Sequence, residues 1–471
     1  MDKLLRIIKK YIPAKLFAAL QPVYHYLLAA AAAARYGWPS EKLIVIGVTG
    51  TTGKTTSTYL MAKMLNSAGL KTGFTSTAMF SDGKNEWLND KKMTMMGRFF
   101  TQGILKKMVK NHCQYAIVEA TSQGVEQFRH RFINYDILIF TGLYPEHLEA
   151  HGSFAKYKQA KGKLFAHLKN CKTKYADDKK RVVKAESGLK KIEANRVKKI
   201  IIANGDDEAA GYFLEFWAEE KISYKAKSHP SAGGSKVKNN AVEYGSIKSN
   251  KGGVEFTVNG KTKINLKQLG EYNAANAMTA VCLGLSQGLA LEKIKAGLEK
   301  VKGIPGRMEI IKNTAPGFTV IVDYAFEPEA LKKIYETVLK LEYNKIIHVL
   351  GSTGGGRDAA RRPKLGALAG QNAEAVIITN EDPYDDDPKL IIGQVAAGAA
   401  NAGKVENENL FKIEDRREAI SKALSLAGEN DLVLVTGKGC EQAICAADGV
   451  KIPWDDRQVV REELELLTRN I

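Results

Sequence analysis

The chain has 471 residues, enough for two to four domains, each with its own core. Its apolar fraction of 44% and charged fraction of 26% exclude a collagenous, disordered or multi-span membrane protein. Seventy Lys and Arg against 52 Asp and Glu leave a formal charge of +18, which asks for an anionic partner without naming its kind. The five cysteines (Cys113, Cys171, Cys282, Cys440 and Cys445) form no CxxC pair, so the chain reads as reduced and cytoplasmic, without a structural zinc.

The start is basic, with Lys3, Arg6, Lys9, Lys10 and Lys15, and residues 16–34 carry no Asp, Glu, Lys or Arg. A helix docked on the body, a basic amphipathic segment touching anionic lipid, and a spanning anchor are the three readings. Gln21, Pro22 and His25 interrupt the apolar run and weigh against the anchor.

From Glu41 the pattern is α/β. Leu43–Val48, Tyr115–Val118 and Ile137–Phe140 are short apolar runs of the kind found in buried parallel strands, and Ser57–Leu65 is helix-compatible. Strands alternating with helices predict a parallel sheet covered on both faces. Residues 205–265 are rich in turn residues, with an alternating stretch at Val254–Val258, and predict appended hairpins. Asn273–Leu285 is helical again.

Lys302–Gly306 is punctuated by Gly and Pro and predicts the linker. Beyond it, Thr319–Val322, Ile346–Leu350, Ala375–Ile378 and Leu432–Val435 predict a second doubly wound domain. The expected division is a helical segment over 1–40, an ATP-binding domain over 41–303 and a Rossmann-like domain over 304–471.

The run GVTGTTGKTT, Gly47 to Thr56, joins a predicted strand to a predicted helix. Glycines let backbone N–H groups curl around phosphate oxygens, and the helix N-terminus adds its positive dipole end. Gly50, Thr51, Thr52, Gly53, Lys54, Thr55 and Thr56 are therefore candidate ATP contacts. Lys54 is suited to the β and γ phosphates, and the Thr55 hydroxyl to Mg²⁺. The strict phosphate-loop pattern needs glycine where Val48 stands, so this is a variant loop; a plain glycine turn is the alternative. Glu119 ends a predicted strand, where ligands of open parallel sheets gather, and offers Mg²⁺ a hard oxygen. His147 and His151 follow another strand; a structural role is the ordinary reading of either.

Taken together, these segments resemble the Mur ligase family, from about Leu43 to the C-terminus. They are most similar to the branch that adds the third residue of the peptidoglycan stem peptide. The resemblance implies a two-domain α/β core and ATP-dependent amide formation through an acyl phosphate. IVEATSQGVEQFR (Ile117–Arg129) resembles the segment that supplies a Mg²⁺-binding glutamate, here Glu119. EHLEAHGSFAKYKQAK (Glu146–Lys161) resembles the stretch with a metal-binding histidine, here His147, and a lysine carbamylated by CO₂, here Lys161. The resemblance further implies acceptor contacts at Thr94, Thr121, Ser122 and Arg129. LGEYNAANAMTA (Leu269–Ala280) implies adenine contacts at Asn273 and Asn276. PGRMEII (Pro305–Ile311) resembles the inter-domain joint, with Arg307 reaching the ATP phosphates. VDYAFEPEAL (Val322–Leu331) places Asp323 near the ribose, and GSTGGGRDAARRP (Gly351–Pro363) makes Arg357 an ATP contact. Glu381, Asp382 and Tyr384, with Gly437 and Glu441 of GKGCEQ, correspond to the amino-acid site. Lys54, Lys161, His147 and Arg307 are the expected catalytic groups.

The chain also departs from the family. An N-terminal domain of about one hundred residues usually holds the UDP group, and only forty-odd residues precede the phosphate loop here. The acceptor is then expected to be held by the central domain, by a partner, or to lack UDP. Where diaminopimelate-adding enzymes have Asp-Asn-Pro-Arg, this chain has Glu381-Asp382-Pro383-Tyr384, and Tyr384 cannot grip a distal carboxylate. Asp385, Asp386 and Asp387 follow; they predict either a pocket for a basic side chain or a solvated helix cap. Cys440 and Phe326 replace family histidines. Folylpolyglutamate synthase-like or polyamino-acid ligase chemistry on a non-UDP acceptor is the alternative. The expected partners are small molecules, with no nucleic acid, and peripheral membrane contact through 1–40. Residues 156–200 hold 16 Lys and Arg against 4 Asp and Glu, so most of the excess charge reads as one local basic face.

Overall fold

A computed structural model of the chain describes residues 14–146, 151–186, 195–227, 240–311 and 317–469. Its largest element is an eleven-stranded sheet. In spatial order the strands are Thr262–Leu266, Gly253–Val258, Asn240–Asn250, Glu220–Ala226, Ile200–Asn204, Ile137–Phe140, Ile44–Thr49, Tyr115–Glu119, Thr72–Thr75, Met79–Ser81 and Glu86–Leu88. The seven from Asn240–Asn250 to Thr72–Thr75 run parallel, and antiparallel hairpins extend both edges. Ile44–Thr49 lies at the centre, buried along its whole length, because apolar side chains leave it on both faces.

The hairpins expected over 205–265 are present at Asn240–Leu266, but they continue the main sheet instead of standing apart. Ahead of them, Glu220–Ala226 is a parallel strand paired to Ile200–Asn204. Turn residues marked the hairpins, whereas the parallel strand depends on partners distant in sequence. A further three-stranded antiparallel sheet, centred on Thr173–Ala176, was not foreshadowed by the sequence.

The second sheet has six strands in the order Glu309–Ile311, Thr319–Val322, Leu432–Val435, Ile346–Leu350, Ala375–Ile378 and Leu410–Lys412, all parallel except the first pair. Apolar cores cover both of its faces. This is the doubly wound arrangement expected from the alternating strand and helix signals.

The N-terminal helix, Ala14–Tyr36, packs against the helix Arg98–Lys110. Ala29, Ala32 and Ala33 are buried there, since methyl side chains allow close helix approach. Leu20, Val23, Tyr24 and Leu27 face outward, 40–61% exposed. Among the described residues no helix is long and apolar enough to cross a membrane. The docked reading therefore accounts for this helix.

The basic stretch 156–200 is only partly a solvated face. Lys161, Lys174 and Lys199 are buried. Lys174 and Lys199 converge on Asp136 at 2.5 and 2.8 Å and donate to backbone carbonyls, so their charge is spent inside the domain.

Candidate active site

The phosphate loop leaves the central strand and enters the helix Lys54–Ser67. Gly53 has φ +80°, and a Cβ there would lie 2.4 Å from Asn276 Oδ1. Glycine is required by both the left-handed backbone and the close neighbour. Lys54 folds back over the loop, its Nζ donating to Gly50 O at 2.9 Å and Thr51 O at 2.6 Å. Thr51 N donates to Gly142 O, and Thr141 Oγ1 donates to Thr52 O, which ties the loop to the end of the neighbouring strand. Thr55 and Thr56 are buried at the helix start.

Glu119 ends the adjacent strand and is fully buried. Its Oε2 accepts from Thr77 N at 3.3 Å and Thr77 Oγ1 at 3.0 Å, while Oε1 lacks a hydrogen-bond partner. Burial pushes this carboxyl above its ordinary range, opposed first by the charge of Lys54. A buried carboxylate oxygen without a donor, beside a phosphate loop and a threonine hydroxyl, is a donor set that fits a hard cation such as Mg²⁺. Thr94 joins this group through Thr77, Oγ1 to Oγ1 at 2.9 Å.

Lys161 lies on the helix Phe154–Leu168 with 2% exposure. Its Nζ donates to Gly50 O at 2.9 Å and sits 4.6 Å from the Tyr157 ring centroid. Burial, then the neighbouring Lys54, hold its ammonium well below the usual lysine range, opposed by Glu146. His147 lies outside the described residues. His151, the other histidine of this stretch, bonds Ser122 Oγ through Nε2 at 3.0 Å.

Among the residues expected to contact the acceptor, Thr121 caps the short helix Ser122–Glu126, its Oγ1 accepting from Gly124 N. Arg129 donates to Met95 O and to Gln127 Oε1. Thr94 thus connects through Thr77 to Glu119, and Ser122 to His151, while Arg129 is held by Gln127 and Met95.

Asn276 Nδ2 donates to Asn273 Oδ1 at 2.8 Å, and Ser57 Oγ donates to Asn276 O. Both asparagines therefore stand behind the phosphate loop. Arg307 lies over the Tyr324 ring at 4.5 Å, and its charge acts on Lys54, Glu119 and Asp323. Asp323 is buried with both oxygens engaged: Oδ2 accepts from Met308 N at 2.6 Å and Oδ1 from Ala325 N at 2.7 Å. Its visible work is to fasten the joint. Arg357 is exposed on the glycine loop, whereas the neighbouring Arg361 and Arg362 are buried and paired with Glu327 and Asp386.

The residues expected at the amino-acid site form an ion network. Asp382 Oδ1 accepts from Lys438 Nζ at 2.9 Å and Cys445 N at 2.7 Å. Lys438 also binds Glu441 Oε2 at 2.7 Å, and Tyr324 OH donates to Glu441 Oε1 at 3.1 Å. Lys92, from the other domain, completes it, 2.5 Å from Asp382 and 2.9 Å from Glu441. Glu381 is 2% exposed, and its Oε2 has no partner. A Cβ on Gly437 would lie 2.4 Å from that oxygen. Burial and the adjacent Asp382 push the Glu381 carboxyl up to about 7. Tyr384 adopts φ +52°, its N–H donating to Cys445 O.

Asp385–Asp387 form no shared pocket. Asp387 caps the helix Pro388–Asn401, Asp386 pairs with Arg362, and Asp385 accepts from Asp448 N. The capping expectation holds and the acidic-pocket one fails for these three; the carboxylates facing a cation are Asp382 and Glu441. Lys92, Thr77 and Lys438 were not anticipated. Lys438 stands inside the GKGCEQ run, whereas nothing in the local sequence around Lys92 marks it.

This geometry, a phosphate loop facing a buried carboxylate and lysine with a second doubly wound domain across a joint, is that of an ATP-dependent ligase. The description "Mur ligase middle domain" matches residues 48–197, and "Mur ligase, glutamate ligase domain" matches 306–439. The chain is 35% identical over 444 residues to a UDP-N-acetylmuramyl-tripeptide synthetase of Roseiflexus sp. (strain RS-1), covering 93% of this chain and 81% of that protein. Among solved structures, a UDP-N-acetylmuramoyl-L-alanyl-D-glutamate–2,6-diaminopimelate ligase matches with TM-score 0.58 at 24% identity, over 95% of this chain and 83% of that one. A folylpolyglutamate synthase of Mycobacterium tuberculosis matches with TM-score 0.64 at 17% identity, over 88% of this chain and 92% of that one. These two structural likenesses show the fold alone. The chain belongs to the Mur ligase family. It is an ATP-dependent, ADP-forming amide ligase that uses Mg²⁺.

Proposed function

We propose that the chain adds an amino acid to a muramoyl-dipeptide acceptor in peptidoglycan precursor synthesis. The acceptor carboxylate attacks the γ-phosphate of ATP, ADP leaves, and an acyl phosphate forms. The amine of the incoming amino acid attacks the acyl carbon; phosphate and a proton leave, and the amide remains. Lys54 and Arg307 neutralise charge that develops on the phosphoryl oxygens, where electrostatic stabilisation is most effective. Glu119 and Thr55 would hold Mg²⁺, which would supply positive charge at the same place. Thr94, Thr121, Ser122 and Arg129 contact the acceptor, and Asp382, Glu441 and Tyr384 the amino acid.

Lys161 becomes a carbamate. Its neutral amine attacks CO₂, a proton is released, and the resulting anion joins Glu119 in holding the cation. The observation that carries this reading is the buried Lys161 amine on the same loop carbonyl, Gly50 O, as Lys54, with the charge of Lys54 acting on both Lys161 and the buried Glu119, whose Oε1 lacks a donor. A lysine that stays cationic beside a second cation gains little, whereas a carbamate converts repulsion into attraction.

The test is phosphate release with ATP, Mg²⁺, UDP-N-acetylmuramoyl-dipeptide and a panel of amino acids. Turnover that needs both the acceptor and one amino acid is the expected result. Turnover only with a folate or a free peptide as acceptor overturns the reading.

The outward apolar face of the first helix supports a second role, contact with an anionic membrane surface. Its exposed Leu20, Val23, Tyr24 and Leu27 recur at helical spacing beside a basic N-terminal sequence.

A further inference from the structure

The amino-acid end of the site already holds an ammonium group, and it belongs to the protein. Lys92 Nζ lies 2.5 Å from Asp382 Oδ2 and 2.9 Å from Glu441 Oε2, and it donates to Ala443 O at 3.0 Å. Three acceptors around one ammonium satisfy all its protons. The Lys92 and Asp382 side chains are each 6% exposed, and Glu441 is 13% exposed. The ligands come from the second domain and the lysine from the first, 290 positions earlier in the chain.

The charge count is balanced only with that ammonium in place. Asp382 and Glu441 bring two negative charges, and the fully buried Lys438 neutralises one. Without a second cation a buried carboxylate is left unpaired, which is costly. An apolar amino-acid side chain could not replace Lys92 there, but a distal ammonium could. Next to Asp382 in sequence, Glu381 keeps a buried Oε2 without a partner, facing Gly437.

The segment that delivers Lys92 is a turn bridged by Asn89, whose side chain accepts from Lys91 N and donates to Met93 O, so that Lys92 alone ties it to the second domain's carboxylates. Lys91 and Met93 on either side are exposed, and Lys92 itself is held at φ +52°, in the left-handed region that side chains other than glycine rarely adopt. Two residues on, Thr94 bonds Thr77, which bonds Glu119. The loop therefore touches the amino-acid pocket with one residue and the cation-binding carboxylate's support with another.

We propose that Lys92 is an internal occupant of the amino-acid pocket, which it fills in the amino-acid-free enzyme and leaves when an amino acid carrying a distal ammonium enters. The lysine acts as a competitor built into the chain. It protects the carboxylate pair from unpaired burial, and its departure frees the loop next to Thr94 once the amino acid is bound. This rests on the amino-acid site assigned above and adds the self-occupancy.

The experiment uses the full chain and L-lysine as probe, with norleucine as its isosteric control. Binding is measured by calorimetry without ATP or acceptor, in the wild type and in Lys92→Met and Lys92→Arg. Removing a competitor that fills the pocket nine-tenths of the time tightens the apparent affinity about tenfold. Lysine is therefore expected to bind Lys92→Met about tenfold more tightly than the wild type, with Lys92→Arg restoring the weaker value and norleucine unaffected. Equal or weaker lysine binding in a folded Lys92→Met overturns the proposal. A second readout needs no variant: hydrogen exchange over residues 89–95 of the wild type rises on adding lysine and not on adding norleucine. Unchanged or slower exchange there with saturating lysine also overturns it. If no acceptor supports ligation but both binding results hold, the functional reading falls and the self-occupancy stands. If ligation proceeds and the binding results fail, the reverse applies.

Discussion

Lys54 and Lys161 donate to one carbonyl oxygen, that of Gly50, each at 2.9 Å. Two ammonium groups on one acceptor repel each other, and the more deeply buried Lys161 yields its proton more readily. The free amine is the form that captures CO₂. Replacing Lys161 by Ala is expected to lower kcat at least about a hundredfold, the scale of losing a group that organises transition-state charge. Short carboxylates such as acetate should restore part of the rate, and the wild type should show a carbamate signal by ¹³C NMR in labelled bicarbonate. A fully active Lys161→Ala would remove the carbamate from the mechanism.

Glu119 tests the cation site. Gln keeps the shape and the Thr77 contacts but loses the charge. Loss of a hard oxygen ligand weakens metal binding, and tenfold to about a hundredfold is the scale reported even for supporting partners. Titrating Mg²⁺ against rate should show the half-maximal concentration raised by at least that lower figure in Glu119→Gln. An unshifted curve would place the ion elsewhere.

Glu381 predicts a pH dependence of stability. Its carboxyl sits at about 7 in the fold against an ordinary 4.5. The folded state therefore holds its proton more tightly than the unfolded state. The group costs nothing below 4.5, destabilises increasingly as pH rises toward 7, and reaches a constant cost above it. The full cost is about 3 kcal/mol by linkage. Glu381→Gln should therefore melt higher than the wild type at pH 8, with the gap closing by pH 4.5. Parallel melting curves across that range would argue against a buried, proton-holding carboxyl.

Gly53 carries a sharp local demand. An added Cβ must share space with Asn276 Oδ1 and adopt φ +80°. Gly53→Ala should weaken ATP binding more than it lowers thermal stability, because the left-handed turn it distorts belongs to the phosphate loop, and the side chain it crowds, Asn276, stands directly behind that loop. Nucleotide affinity by calorimetry beside a melting curve separates the two effects.

The first helix can be tested with vesicles containing anionic lipid. Replacing Leu20 and Leu27 by Glu should abolish co-sedimentation at low salt while ligation continues. Equal co-sedimentation of the variant would leave the face without a lipid role.

Much of this was legible in the sequence because the signals were local. The strands Ile137–Phe140, Thr319–Val322, Ile346–Leu350, Ala375–Ile378 and Leu432–Val435 fall where apolar runs predicted them. The phosphate loop carries its own glycines, and Glu119 ends its strand as expected. What escaped was non-local. Ile200–Asn204 and Glu220–Ala226 pair in parallel across an intervening helix, so no turn between them announces the contact. Asp385–Asp387 were ambiguous because a run of carboxylates caps a helix as well as it lines a pocket. Nothing in the local sequence marks Lys92; only the folded chain brings it to Asp382.

The joint residue Arg307 is stitched to the second domain on both sides. Gly306 O accepts from Tyr324 N, and Met308 N donates to Asp323 Oδ2. Its guanidinium nevertheless acts on Lys54 and Glu119 in the first domain. Any rotation of the second domain must carry this positive charge toward or away from the nucleotide as a lever arm. Under the proposed mechanism, phosphoryl transfer would therefore wait on the arrival of that domain: an enzyme held open would keep its ATP without the arginine, and would lose less of it to water.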